Sequence, residues 1–146
     1  MTAKQANIDA LSRILGGSFG LYAQTHAYHW NVEGPEFRQL HATFEEQYQN
    51  LWEALDEIAE RIRSLGAYAP ASLAELVALA GDAPAPAQSA DAMVAALIAG
   101  HEALADELRT AIATAQEAGD EPSAGLLTDR LEWHEKELWM MKASRK

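Results

Sequence analysis

Apolar residues recur along this chain at the spacing of α-helices. The longest run extends from about Glu36 to Gly66, with apolar residues at steps of three and four. Its apolar positions are Phe37, Leu40, Phe44, Tyr48, Leu51, Leu55, Ile58, Ile62 and Leu65. A period near 3.6 sustained over that length predicts an amphipathic helix with one face in a core.

Three more long segments and one short segment have helical patterns. The long ones run from about Asn7 to Asn31, from Ala90 to Ala118 and from Ser123 to Ala143. Ser72 followed by Glu75 has the spacing of a capping box and predicts a short helix to about Ala80. The stretch GDAPAPAQS then predicts a proline-broken linker.

Four long helices of comparable length predict an all-α protein, a four-helix bundle in one domain spanning residues 1–146. The short helix and its linker would form the crossover connection between the second and third long helices.

Composition and charge narrow the classes of protein. The first residues, MTAKQANIDALSRIL, lack a signal-peptide block, and no apolar run suits a membrane span, so we expect a cytoplasmic protein. The absence of cysteine excludes thiolate metal sites. The formal net charge of −11 repels nucleic acid and anionic lipid and attracts cations.

The second long helix carries candidate metal ligands on one side. His41, Glu45, Asp56 and Glu60 are separated by steps of four, eleven and four, and they fall within an arc of roughly 100°. They form two pairs whose midpoints lie about 22 Å apart along the axis. No single metal ion can reach both pairs in one chain.

Two antiparallel copies of this helix would solve that problem if they crossed near Asn50 and Leu51. Each His41/Glu45 pair would then face the Asp56/Glu60 pair of the other copy, and a two-fold axis gives two identical sites. His29, at the end of the first helix, can join His41 if the Gly34-Pro35 break folds the two helices side by side. Trp52 and Ala59 on the same side favour a partner subunit.

Imidazole and carboxylate ligands suit Fe(II), and carboxylates favour the ferric product. No histidine has Glu three residues before it, which argues against a di-iron site within one chain. The alternatives are plainer. Asp56 and Glu60 would be solvated residues, and His29 and His41 would be interface residues without a metal. His26, one turn before His29, is expected either to support a ligand or to lie on the surface. His101 and His134 are expected to be structural or exposed, and Trp30 and Trp52 to be packing residues.

The segments carrying these residues resemble the Dps family, the mini-ferritins named for DNA protection during starvation. HWNVEGPEFRQLH resembles the family's first motif and DEIAERIRSLG its second, and DRLEWHEKELWMMKA matches near the end. The likeness extends over nearly the whole chain. The spacing from His29 to His41, Asp56 and Glu60 fits without a gap.

This resemblance implies a ferritin-like bundle assembled as a hollow shell of twelve subunits, with iron-oxidising (ferroxidase) centres at two-fold interfaces. Carried over by position, His29 and His41 come from one subunit, and Asp56 and Glu60 from its mate. Glu45 falls where the family commonly has Asp. The implied reaction oxidises Fe(II) with hydrogen peroxide, or more slowly with O2, and stores ferric mineral against oxidative damage.

The resemblance also implies pores that admit iron. The candidate pore residues are acids at the end of the third long helix and in the following turn: Asp106, Glu107, Glu117, Asp120 and Glu121. In the alternative interpretation, each of these acids is a solvated residue at a helix end. The family often has an acid two residues after a Ser or Thr in this turn, but Gly125 stands there after Ser123.

The alternative function is DNA binding, in which the chain would be a DNA-compacting protein associated with the bacterial nucleoid and would have little role in iron oxidation. Family members that bind DNA often use a basic terminal arm. Here Lys4 is the only basic residue ahead of Arg13, and the C-terminal end offers Lys142, Arg145 and Lys146. Twelve copies would carry roughly −130 charges, which argues against DNA binding. A helical interaction module without metal chemistry is a third reading.

Overall fold

The computed structural model of the chain describes residues 1–81, 86–87 and 89–146. Within those ranges all regular structure is helical, which confirms the all-α prediction. The helices are α1 (Ala3–Asn31), α2 (Phe37–Ser64), α3 (Leu73–Ala80), α4 (Ala90–Glu117) and α5 (Glu121–Ala143).

The four long helices bury one shared core. Helix α1 packs along α2 and α4, and α4 packs along α5. Leu11, Leu51, Leu97 and Leu127, one from each long helix, have no exposed surface. Burying such a side chain stabilises the fold by about 1.5–3 kcal/mol, so the four-helix bundle predicted from the periodicity is confirmed.

Helix ends follow from capping side chains. Helix α1 begins at Ala3, earlier than predicted, because the Thr2 hydroxyl accepts a hydrogen bond from the Gln5 amide. Helix α5 likewise begins at Glu121 because Asp120 caps it, and Pro122 lies in its first turn. These caps satisfy backbone amides that have no partner within the helix.

The short helix α3 lies where the Ser72/Glu75 pattern predicts it. The Ser72 hydroxyl accepts from the Glu75 amide at 3.2 Å, and the Glu75 carboxylate accepts from the Ala71 amide at 2.6 Å. Helix α3 docks on α1 at Gly16, where a side chain would collide with Leu79. Most of the predicted linker, residues 82–85 and 88, falls outside the described residues.

Among the residues described, no helix is both long and apolar enough to cross a membrane.

Candidate metal centre

A tight reversal joins α1 to α2 and fixes the two histidines that flank it. The amide of Val32 donates to the Tyr28 carbonyl and closes α1, and Phe37 donates to the Gly34 carbonyl at 3.0 Å. Gly34 has a φ of +111°, which a residue with a side chain rarely adopts. The chain therefore turns back within a few residues, and the end of α1 lies against the start of α2.

His29 and His41 face each other across this reversal. Their rings stack with centroids 3.8 Å apart and planes 15° apart. The Nδ1 atom of His29 lies 2.7 Å from the His41 carbonyl oxygen, and Nδ1 of His41 lies 2.7 Å from the His29 carbonyl oxygen. Two residues twelve positions apart thus hold each other in place through a reciprocal pair of hydrogen bonds.

These bonds determine which ring nitrogens are available. A carbonyl oxygen can only accept, so each Nδ1 must carry the proton and donate it. In the neutral imidazole the other nitrogen, Nε2, then has a free lone pair. A hydrogen bond of this kind orients histidines that ligate metals and raises their basicity. His29 is buried and His41 is half-buried, so both rings are fixed before any metal arrives.

Asp56 and Glu60 form the acidic half of the predicted constellation, one helical turn apart on α2. Both are exposed in the single chain. A side-chain hydrogen bond with Asp56, together with its negative charge, raises the pKa of Glu60. Two carboxylates that repel each other in this way favour a cation between them. Glu45 lies one turn after His41 on the same side of α2, and its side chain is also exposed.

The structure brings His29 to His41 and Asp56 to Glu60, but it leaves the two pairs at different places on the chain. Across residues 1–81, 86–87 and 89–146, three or more histidine, aspartate or glutamate side chains nowhere converge on one metal position. Fifteen helical residues separate the midpoints on α2, which is about 22 Å. Neither pair alone supplies a full set of metal ligands in the single chain.

An open groove lies at the acidic pair on α2. Its apolar lining is Trp52, Leu55 and Ala59 of α2 with Leu15 and Phe19 of α1, and the carboxylates of Glu53, Asp56 and Glu57 border it. Trp52 is 61% exposed. Trp30, beside His29, is 66% exposed. Both tryptophans are thus exposed in the single chain, and their packing role stays a prediction.

Sequence reasoning did not find the cluster of aromatic rings beside the stacked histidines. It consists of Tyr22 and His26 from α1 and Tyr48 from α2, which lie in mutual ring contact. Their spacing offered a signal, because residues four apart on a helix share a face. Tyr22 and His26 have that spacing in α1.

A second histidine pair also escaped detection. His101 of α4 and His134 of α5 have no exposed surface, and their Nδ1 atoms are 2.9 Å apart. Burial is the main reason that the pKa of His101 falls to about 4 and that of His134 to about 2, with the Arg130 charge adding to both. Both rings are therefore neutral core residues, as the structural reading expected.

Asp120, one of the predicted pore acids, has a different role. Its carboxylate pairs with Arg61 at 2.9 Å and accepts from Asn7 at 2.8 Å while it caps α5 at Ser123. Burial alone would raise its pKa, but the hydrogen bonds from Ser123 and the Arg61 charge outweigh burial and lower it. This carboxylate stabilises the junction of α1, α2 and α5 and is not free to line a pore.

Comparisons of the sequence with known proteins agree on one family. A model of the ferritin-like domain matches residues 8–145. An uncharacterized low temperature-induced protein of Nostoc sp. is 41% identical over an aligned length of 147 residues. The match covers 96% of this chain and 80% of that protein.

Solved structures of Dps proteins are similar over almost the whole chain. The Bacillus brevis protein superposes with a TM-score of 0.96 at 33% identity, covering 100% of this chain and 99% of that one. The Vibrio cholerae O1 protein gives 0.94 at 34% identity, with 99% and 92% covered, and is described as a member of a broad superfamily of ferritin-like diiron-carboxylate proteins.

Proposed function

The chain belongs to the Dps family of ferritin-like proteins, and from that premise we propose that it is an iron-oxidising and iron-storing mini-ferritin. It oxidises Fe(II) at centres shared by two subunits, with hydrogen peroxide as the preferred oxidant and O2 as a slower one. The ferric product is stored in a hollow shell of copies of this chain, twelve by the family resemblance.

The reciprocal hydrogen bonds between His29 and His41 carry this proposal. Each Nδ1 donates its proton to a backbone carbonyl, so the Nε2 atom of each neutral ring keeps its lone pair. Imidazole nitrogen is a good ligand for Fe(II), so this arrangement supports a metal-binding role.

The Asp56 and Glu60 carboxylates of a second copy would complete the centre. In two antiparallel copies of α2 related by a two-fold axis, the roughly 22 Å between the two pairs becomes the distance between two identical centres. Glu45 is a further candidate ligand from the histidine side. The exposed groove with Trp52 lies at the Asp56/Glu60 pair, where a second copy of α2 would cover it.

The chemistry follows from this ligand set. Two Fe(II) ions each give up one electron, the O–O bond of one peroxide breaks, and two protons complete two water molecules. No hydroxyl radical is released when both electrons arrive together. Carboxylate ligands favour the ferric state, and few protein ligands leave open positions for the oxidant.

Charge supports cations rather than DNA as the cargo. The formal charge of −11 per chain draws Fe(II) toward the particle. Two of the basic residues near the C-terminal end lie beside acids: Lys142 is 3.1 Å from Glu102, and Arg145 is 3.8 Å from Asp91. These contacts lower the positive charge that the end can offer to phosphates.

The test is anaerobic loading with Fe(II), followed by peroxide, with ferric absorbance and hydroxyl radical scored in parallel. We expect fast oxidation with little radical. The double variant His41→Ala/Asp56→Ala should lose fast oxidation while its particle size is unchanged. Glu46→Gln, which removes a charge from an exposed position of the same helix, is the matched control. Oxidation in the parent no faster than in buffer would contradict the proposal.

A further inference from the structure

Two arginines bridge α2 and α5, and they differ in what their guanidinium groups meet. Arg61 donates from Nε to the Ser123 hydroxyl and from Nη2 to the Asp120 carboxylate, each at 2.9 Å. Arg130 donates from Nη1 to the Asn50 side-chain oxygen at 2.7 Å. Its Nε and Nη2 atoms are covered and have no hydrogen-bond partner among the described residues. The edge that Arg61 pairs within the chain is therefore unpaired in Arg130.

This unpaired edge, the Arg130 fork, is the part of a guanidinium that recognises anions. The N–H bonds of Nε and Nη2 point in parallel from one side of the planar group, so one anion can accept two charge-assisted hydrogen bonds. Arg130 is only 8% exposed, and the ring of Trp133 covers its guanidinium at 4.7 Å. Burial lowers the pKa of Arg130 to about 10, so the group is still positively charged at neutral pH.

Nothing described in the chain neutralises this buried charge by contact, which is an unfavourable state for an ion. The charge of Glu57 on α2 raises the pKa of Arg130, but the Glu57 side chain is exposed and lies beyond ion-pair distance of the guanidinium. A second subunit cannot supply the missing acceptor, because this chain itself covers Nε and Nη2. A small diffusible anion remains as the group that fits.

The buried histidines add a further donor beside the fork. His101 and His134 share a hydrogen bond between their Nδ1 atoms, so the accepting ring carries its proton on Nε2. Neither Nε2 atom has a hydrogen-bond partner among the described residues. Trp133 contacts both rings as well as the guanidinium of Arg130. Unpaired N–H donors around a positive charge favour an anion over a cation.

We propose that the Arg130 fork binds a small monovalent anion between α2 and α5, and that this anion is chloride. A halide suits a covered site because it is small and accepts hydrogen bonds from any direction. It would tie α5 to α2, which pack on each other far less than α1 on α2 or α4 on α5. Asn50 lies on a different side of α2 from His41 and Asp56, so the site is separate from the proposed metal centre.

The first test locates the anion. The assembled protein is purified and crystallised with bromide as the only added halide. Anomalous scattering is recorded at the bromine edge and at a long wavelength that detects retained chloride. We expect a halide within hydrogen-bond distance of Nε and Nη2 of Arg130 in the parent and none there in Arg130→Met. Water at the fork, the Glu57 carboxylate at the fork, or halide on exposed surfaces only would overturn the proposal.

The second test measures binding in solution. The unfolding temperature is followed at one protein concentration over a roughly hundred-fold range of chloride, with gluconate, which is too large for the fork, keeping the ionic strength constant. An anion that binds only the folded protein should raise the unfolding temperature by a few degrees over such a range. The rise should persist in Arg109→Met, the matched control that removes an exposed arginine, and vanish in Arg130→Met.

A third variant separates the fork from its charge. Arg130→Lys keeps a positive charge but loses the two parallel donors, so its affinity for chloride should fall by at least about ten-fold, the loss of one hydrogen bond to a charged group. A chloride response that persists in Arg130→Met, or that is undiminished in Arg130→Lys, would overturn the proposal. Replacing a buried ion by an apolar side chain is often tolerated, and the parent's own response tests the proposal in any case.

Discussion

The two histidine pairs of this chain are built from the same residue and bonded through the same atom, but to different partners. His29 and His41 direct Nδ1 at backbone carbonyls, and their rings lie 3.8 Å apart at the edge of the bundle. His101 and His134 direct Nδ1 at each other inside the core, with ring centroids 4.9 Å apart.

The difference decides what each pair can do. A carbonyl partner fixes the proton on Nδ1 in both rings, so both Nε2 atoms can bind a metal. A histidine partner needs one Nδ1 donor and one Nδ1 acceptor, so the buried pair holds its protons unequally. Burial is the main cause of the low pKa of both buried rings, and the nearby Arg130 charge lowers the pKa further and repels cations. The first pair suits a metal centre, and the second suits a neutral core.

The largest expected effect is on iron oxidation. His41→Ala should lower the initial rate of Fe(II) oxidation by at least about 100-fold, since even the partners of metal ligands are worth about 10–100-fold. His134→Leu should leave that rate essentially unchanged, because its ring contacts His101 and Trp133 rather than the proposed ligands. Stopped-flow absorbance on both variants makes the comparison. Equal losses in the two would break the distinction between the pairs.

Acid should destabilise the protein through the buried pair. Both buried histidines have folded-state pKa values below the unfolded value of 6.5, so the unfolded chain binds more protons as the pH falls. Stability is therefore full above about pH 6.5 and declines toward pH 4, by on the order of 3 kcal/mol for His101 across that window. Denaturant unfolding at several pH values measures the slope. His101→Leu/His134→Leu should flatten it, and an unchanged slope would assign the acid sensitivity elsewhere.

Replacing one histidine of the buried pair should lower the free energy of unfolding by more than half of the loss in the double variant. His134→Leu leaves the buried Nδ1 of His101 without its partner, which destabilises by about 1–3 kcal/mol. The double variant removes both polar groups, so its loss should be smaller than the sum of the two single losses. Thermal unfolding of the four proteins at one concentration closes the cycle. Additive losses would mean that the 2.9 Å contact contributes nothing.

The smallest effect is expected at Glu45. If Glu45 is a ligand, Glu45→Asp should change the oxidation rate by less than about three-fold, because it keeps the carboxylate and moves it by one methylene. Glu45→Ala should lower the rate by about ten-fold, the lower range for groups that tune a metal centre. A parent rate in Glu45→Ala would remove Glu45 from the proposed ligand set.

The two pairs also show how far the sequence carries. Periodicity predicted the four long helices, and the Ser72/Glu75 spacing predicted α3. Neither pattern could reveal the hydrogen bond between His101 and His134, which are far apart in the chain and meet only when α4 packs on α5. A partial signal existed, since His101 continues the apolar stripe through Leu97 and Leu104.

The meeting of His29 and His41 was predictable from the sequence, but the hydrogen bonds between them were not. The Gly34-Pro35 break indicated that His29 and His41 can meet, whereas the reciprocal carbonyl bonds depend on the exact reversal of the backbone. For Asp120 the sequence offered a pore acid or a solvated helix end, and it could not reveal the ion pair with Arg61, which lies 59 residues away. Long-range polar contacts of this kind leave no periodic pattern in the sequence.

A mixed shell tests most directly whether each centre is shared by two subunits. Subunits carrying His41→Ala and subunits carrying Asp56→Ala are each expected to be inactive alone. In a two-fold dimer of one of each, one centre has both defects and the other has none. Random co-assembly should therefore restore about one quarter of the parent's fast oxidation. No recovery in well-formed mixed shells would contradict the shared centre, because a site within one chain stays defective in every mixture.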